Sequence, residues 1–361
     1  MYRIFLLLLL PGFFSACDPF NAILEEDDVV YYHSDADSKD ESEVGDTLKV
    51  MTWNVKFGGA RIDFFFDCHG DRVLMESSEV VDNLKRLSAF LKATRPDILF
   101  VQEVDVNSKR SAFVDQVEWL LENSHFSYAA YASQWRVSHI PSDGLGRMDS
   151  GNAIFSVTPL FKGRRVGLPL IGEQNFLVRY FYLRRNLLDV STVIGKDTLH
   201  LLNTHLSAYS NDGTKEKQID VVYSYLDSLD RLNLPFVIGG DFNALPPGTK
   251  NLKGFPDSAC DDGEFEADDY SLEQTWMRSF YDQFQAAVSL EKYQVNNSVF
   301  FTHTTDKNGF WNRKLDYLFT NSAVLHDSTT THQTEFFSGM ETMPLSDHCA
   351  LETVVVLRKN P

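Results

Sequence analysis

From Leu48 onward, short apolar runs rich in β-branched residues alternate with polar stretches, and their length and period predict strands. Nine such runs stand at 48–53, 98–101, 126–132, 152–156, 187–194, 198–203, 236–239, 314–319 and 350–357. Two stretches repeat at helical spacing instead: Val80, Leu84, Leu87 and Leu91 ahead of Pro96, and Ile219, Val222, Leu226 and Leu229 ahead of Pro235. Hairpin-like neighbours mixed with helix-separated strands predict an α/β protein in which helices cover sheets, rather than an uninterrupted βαβ series. The Gly-, Pro- and Asp-rich stretch 248–270 predicts a long surface loop.

The pattern before Leu48 is different. Arg3, an apolar core over 4–10 and the small residues Ser15 and Ala16 read as a signal peptide over 1–16. The apolar stretch 4–14 is shorter than the ~20 residues of a spanning helix. Ser15-Ala16-Cys17 resembles the lipobox of bacterial lipoproteins, with Phe14 where an aliphatic residue is usual, so Cys17 is expected to carry a lipid anchor. An exported protein of the cell envelope, attached to a bacterial membrane through that anchor, is therefore expected. Residues 17–48 hold eleven acids against Lys39 alone, the composition of a disordered tether, and 49–361 is left as one folded domain.

Composition narrows the classes. A 43% hydrophobic chain of 361 residues has ample material for a core. The net charge of −18 lacks the basic footprint of a duplex binder. Lys162, Arg164, Arg165, Arg179, Arg184 and Arg185 nevertheless cluster in sequence, which keeps an extracellular nuclease as the less favoured alternative. Cys68 and Cys260 lie in loop-like stretches where a disulfide is one open choice, whereas Cys349 reads as a small buried hydrophobe. No HExxH or CxxC occurs, so a zinc protease is not indicated.

Five polar strings close or follow the apolar runs: Thr52-Trp53-Asn54, Gln102-Glu103, Asn203-Thr204-His205, Gly240-Asp241-Phe242-Asn243 and Ser346-Asp347-His348. Hydrolysis of a phosphoester needs a cation, an activated water, stabilisation of the pentacoordinate charge and help for the leaving oxygen. Glu103 and Asn54, at strand ends, offer oxygen ligands to Mg²⁺ or Mn²⁺. Asp241 and Asn243, at i and i+2, point the same way on an extended segment, one toward water and the other toward a phosphate oxygen. Asp347 faces away from its neighbour His348, which leaves Asp316, an acid amid apolar residues, to hold the His348 imidazole in its cationic form and frees Asp347 for the metal or water. His205 supplies a second imidazole to the phosphate.

In these residues the chain resembles the endonuclease/exonuclease/phosphatase superfamily of metal-dependent hydrolases, from about Lys49 to Leu357. The resemblance implies two packed mixed β-sheets flanked by helices, a four-layer α/β/β/α sandwich of the DNase I-like type. It implies Asn54, Glu103 and Asp347 near the metal, Asp241 and Asn243 at the water and phosphate, His205 at the phosphate, and Asp316 paired with His348. Family members often carry an arginine ahead of the strand that ends in His205, and Arg184-Arg185 fits, with Arg185 preferred. The expected protein is a monomeric Mg²⁺- or Mn²⁺-dependent phosphoester hydrolase using direct water attack on a small molecule or lipid head group. The rival from another class is an inactive phosphate-binding receptor.

Overall fold

The computed structural model describes residues 18, 20–34, 45–67, 70–208, 212–258, 268–334 and 341–358. The signal segment, Cys17, Cys68 and Cys260 lie outside the described residues. Five strands come first: β1 (Val30–His33), β2 (Thr47–Asn54), β3 (Ile98–Asp105), β4 (Tyr128–Ile140) and β5 (Gly146–Ser156). The chain then builds β6 (Phe161–Gly167), β7 (Asn186–Ile194), β8 (Asp197–His205), β9 (Phe236–Asp241), β10 (Gln285–Ala286) and β11 (Asp316–Thr320). It closes with β12 (Ala323–Val324), β13 (Thr330–Thr331) and β14 (Leu351–Val356).

These strands form two mixed sheets. The first runs β1-β4-β5-β3-β2-β14-β12, with β13 also paired to β14, and the second runs β10-β11-β9-β8-β7-β6. Alternation along each strand gives every sheet two apolar faces. On the inner faces Val50, Phe100 and Ile154 meet Leu188, Leu201 and Val237. On the outer face of the first sheet, Met51, Trp53 and Leu99 pack against Val80, Leu84 and Leu87 of α1 (Ser77–Thr94), and against α2 (Gln116–Glu122). After α3 (Phe176–Phe181), α4 (Thr214–Arg231) lays Ile219, Val222 and Leu226 on Phe236 and Ile238 of the second sheet, joined by Phe280 of α5 (Arg278–Gln283). The short α6 (Leu290–Val295) follows. The order is thus helix, sheet, sheet, helix. Among the described residues no helix is long and apolar enough to cross a membrane.

The acidic segment departs from the expected tether. Val30–His33 pairs antiparallel with β4 at the edge of the first sheet, Ala22 is buried, and Asp28 and Glu26 meet Arg136 and Arg164 at 3.0 and 2.9 Å. Four residues able to extend and pair on an open strand edge, with two arginines opposite the acids, offset the self-repulsion that composition alone registers. Residues 35–44 lie outside the described set.

Candidate active site

Register places the polar strand ends together. Parallel pairing of β8 with β9 sets His205 opposite Asp241, and antiparallel pairing of β9 with β11 sets Asp241 opposite Asp316. Across the sandwich, parallel pairing of β2 with β3 sets Asn54 beside Gln102. These residues continue the inner-face period of two, so one end of the intersheet space is polar where the rest is apolar. Behind the site, buried amides link the strands. Gln102 donates to Asn203 Oδ1 at 2.7 Å, and Asn203 donates to the carbonyls of Val101 and Ala153 at 2.8 Å, tying the two sheets together.

Two members sit where simple alternation would not aim them. β3 slips register against β5 between Val101 and Val104, and Glu103 within that bulge has φ 55°. Asn243 has φ 50°. A left-handed backbone is costly for a residue with a side chain, and here the bulge turns Glu103 into the cleft.

The side chains converge tightly. Asn54 Nδ2 donates to Glu103 Oε1 and Asp241 Oδ2, both at 3.1 Å, while its Oδ1 accepts from Lys56 N. As seated, Asn54 bridges two carboxylates as a donor. His348 Nδ1 meets Asp316 Oδ2 at 2.8 Å, and its Nε2 faces Asp241 Oδ2 at 3.6 Å. His205 Nε2 is 3.5 Å from Asp241 and 3.9 Å from Glu103. Asn243 donates from its backbone to Asp241 Oδ1 at 3.0 Å, but its side-chain amide donates to Leu206 O, so here it braces the loop. All nine candidates other than Cys17 therefore lie in or beside one cleft.

Burial sets the protonation pattern. Burial disfavours the His348 imidazolium, yet Asp316, Asp241 and Asp347 outweigh it and push its pKa up to about 10. Burial, aided by Asp316 and opposed by His348, lifts Asp241 to about 7. His205 moves the other way: burial, Arg185 and His348 hold it well below the ordinary histidine value, so it is neutral. Burial and the charge of Asp347 raise Glu103, whereas Lys56, His348 and Arg61 hold Asp347 low against its burial. The site pairs a cationic imidazole with a carboxylate poised near neutrality, the combination general acid–base work requires.

Arg185, rather than Arg184, lines the cleft, with Nη1 donating to Gln134 Oε1 at 2.9 Å. Sequence reasoning passed over Lys56, a buried ammonium 2.9 Å from Asp67 and 3.4 Å from Asp347. It also passed over His303, whose ring lies 4.3 Å from that of His348. Lys56 is two residues beyond Asn54, and that proximity was the available signal. His303 had none, because only the bridge pairing it with His348 brings it there.

The profile of the Endonuclease/Exonuclease/phosphatase family matches residues 51–348. The chain belongs to that family. Among curated proteins none matches it in sequence. An endonuclease/exonuclease/phosphatase from Beutenbergia cavernae DSM 12333 superposes with a TM-score of 0.58 at 19% identity, over 86% of this chain and 72% of that one. D. rerio TDP2 complexed with single strand DNA product gives a TM-score of 0.51 at 15% identity, over 86% and 98%. An endonuclease/exonuclease/phosphatase from Bacteroides vulgatus gives 0.51 at 14%, over 86% and 99%. At these identities the likeness concerns the fold.

Endonuclease/exonuclease/phosphatase proteins typically employ divalent metals, and the donors here suit a hard cation. The charge of Asp347 disfavours ionisation of Glu103, and a cation beside the two carboxylates would relieve that repulsion. Asp241, Asp316 and His348 also bring ligand atoms within 4.8 Å of one another. In that trio the imidazole Nδ1 is already engaged by Asp316 and the ring is charged, which suits proton handling better than coordination.

Proposed function

We propose that this protein is an exported Mg²⁺- or Mn²⁺-dependent hydrolase that cleaves a phosphoester by direct attack of water. The observation that carries the reading is Asp241, poised near neutrality and faced by the imidazolium of His348 and the neutral ring of His205. Asp241 takes the proton of the attacking water. His348, charged and braced by Asp316, donates to the phosphate oxygens, and Arg185 adds positive charge on the same cleft wall. When bound beside Glu103 and Asp347, the metal neutralises phosphate charge and assists the leaving oxygen.

The basic residues that left room for a nuclease are largely engaged within the fold. Arg164 pairs with Glu26, Arg165 donates to Ser133 and Arg184 carbonyls, and Arg179 donates to Gly172 and Gln174 carbonyls. This favours a small or lipid phosphoester over a duplex. The test is a panel of plasmid DNA, inositol phosphates, sphingomyelin and phosphatidylcholine with Mg²⁺ or Mn²⁺. Asp241→Ala is expected to lower turnover of the accepted substrate by roughly 10²–10⁴-fold. Failure to cleave any of the panel with either metal, or full activity of Asp241→Ala, defeats the proposal, and retained phosphate binding without turnover identifies a receptor.

A further inference from the structure

The cleft continues past the carboxylates. It encloses about 740 Å³, and its far wall is built from apolar side chains, among them Phe65, Phe66, Ile140, Leu145, Leu170 and Phe181. At the mouth stands α3, with Phe176 79% and Leu177 66% exposed and Val178 also open to solvent. Leu177 and Val178 belong both to that surface and to the cleft lining. An apolar face that runs from solvent into a reactive cleft is not residual core, and on a soluble surface it marks a contact site.

The amino-terminal chain arrives at the same place. Phe20 packs edge-on against Tyr180 and Phe181 at 6.3 and 5.2 Å, and Asp18 accepts a hydrogen bond from Tyr180 Oη. Asp18 directly follows Cys17. The anchor expected at Cys17 would therefore be tethered, through Asp18, beside α3.

We propose that α3 docks into a phospholipid bilayer and that the apolar wall behind it takes the hydrocarbon of a membrane lipid whose phosphoester reaches Asp241 and His348. The proposal rests on the hydrolase reading and names its substrate class. A protein of net charge −18 gains no electrostatic attraction to anionic lipid, so in this proposal adhesion comes from insertion of Phe176 and Leu177 and survives high salt.

The full chain carrying Leu177→Trp, compared with the parent, is titrated with phosphatidylcholine vesicles whose acyl chains are brominated. The added indole is expected to be quenched, at low and at high salt alike. Leu232→Trp, placed just beyond α4 and exposed, is the control and is expected to stay unquenched. Equal quenching at both positions, or none at Leu177→Trp, overturns the docking surface. Self-association relieved by Phe176→Ser, without quenching, identifies a second copy of the chain as the occupant instead. For the hydrocarbon wall, monomeric dihexanoylphosphatidylcholine is expected to inhibit hydrolysis of bis(4-nitrophenyl) phosphate at least about tenfold more strongly than glycerophosphocholine, and equal inhibition overturns it. Quenching is read again with Asp241→Ala added. Lost turnover with persistent quenching supports both readings, lost turnover without quenching defeats only the docking, and retained turnover defeats the catalytic reading without touching the quenching result.

Discussion

Asp316 is buried under the ring it serves, and its carboxylate is what keeps the His348 proton in place. With Asp241 needed as a carboxylate and His348 as an imidazolium, kcat/KM is expected to rise as pH passes about 7 and to fall near 10. Asp316→Asn removes a negative neighbour from the imidazolium, so the alkaline limb is expected to move to lower pH in a measured pH–rate profile. An unmoved limb shows that another group titrates there. These roles were legible because Asp241, Asp316 and His205 continue a period-two pattern that any reader of the strands can extend. The aim of Glu103 was not, since it depends on a left-handed bulge within β3. Nor was the turn of the Asn54 amide toward its carboxylate neighbours, which three elements decide jointly.

At the level of strands, the sandwich is held shut by close contact as well as by its amides. Gly239 on β9 faces Phe100 on β3, and a methyl there would come within 2.8 Å of the ring's Cγ. Gly239→Ala is expected to cost about 1–3 kcal/mol, read as a lowered midpoint in denaturant unfolding. A neutral result would mean that the sheets separate without penalty. The central strands β2, β3, β8, β9 and β14 could be read from sequence because burial on both faces leaves them long apolar signatures. The edge strands could not: β1 and β6 owe their conformation to the strand beside them, and β6 carries Lys162, Arg164 and Arg165 in the run that composition assigns to solvent. The fold class survived these omissions because the two helices and the inner strands already define the layers.

Across the whole molecule, the charge of Asp347 beside Glu103 is a cost that a bound cation would offset. Mg²⁺ or Mn²⁺ is expected to raise the thermal midpoint, with ~2.7 kcal/mol of added stability at a hundredfold excess over Kd, and EDTA to reverse it. Glu103→Gln is expected to blunt the shift in scanning fluorimetry, and an undiminished shift would place the ion elsewhere. The path of the chain through the two sheets has another outcome. β14 lies between β2 and β12 in the first sheet, and His348 precedes it by three residues, so the first sheet stays open beside β2 until the chain past His348 has been made. A nascent chain already holds Asn54, Glu103, His205 and Asp241 but lacks both the imidazole and the strand that seats it. The order of synthesis thereby makes the imidazole of His348 the latest of these side chains to join the site, after both carboxylate-bearing sheets have begun to form.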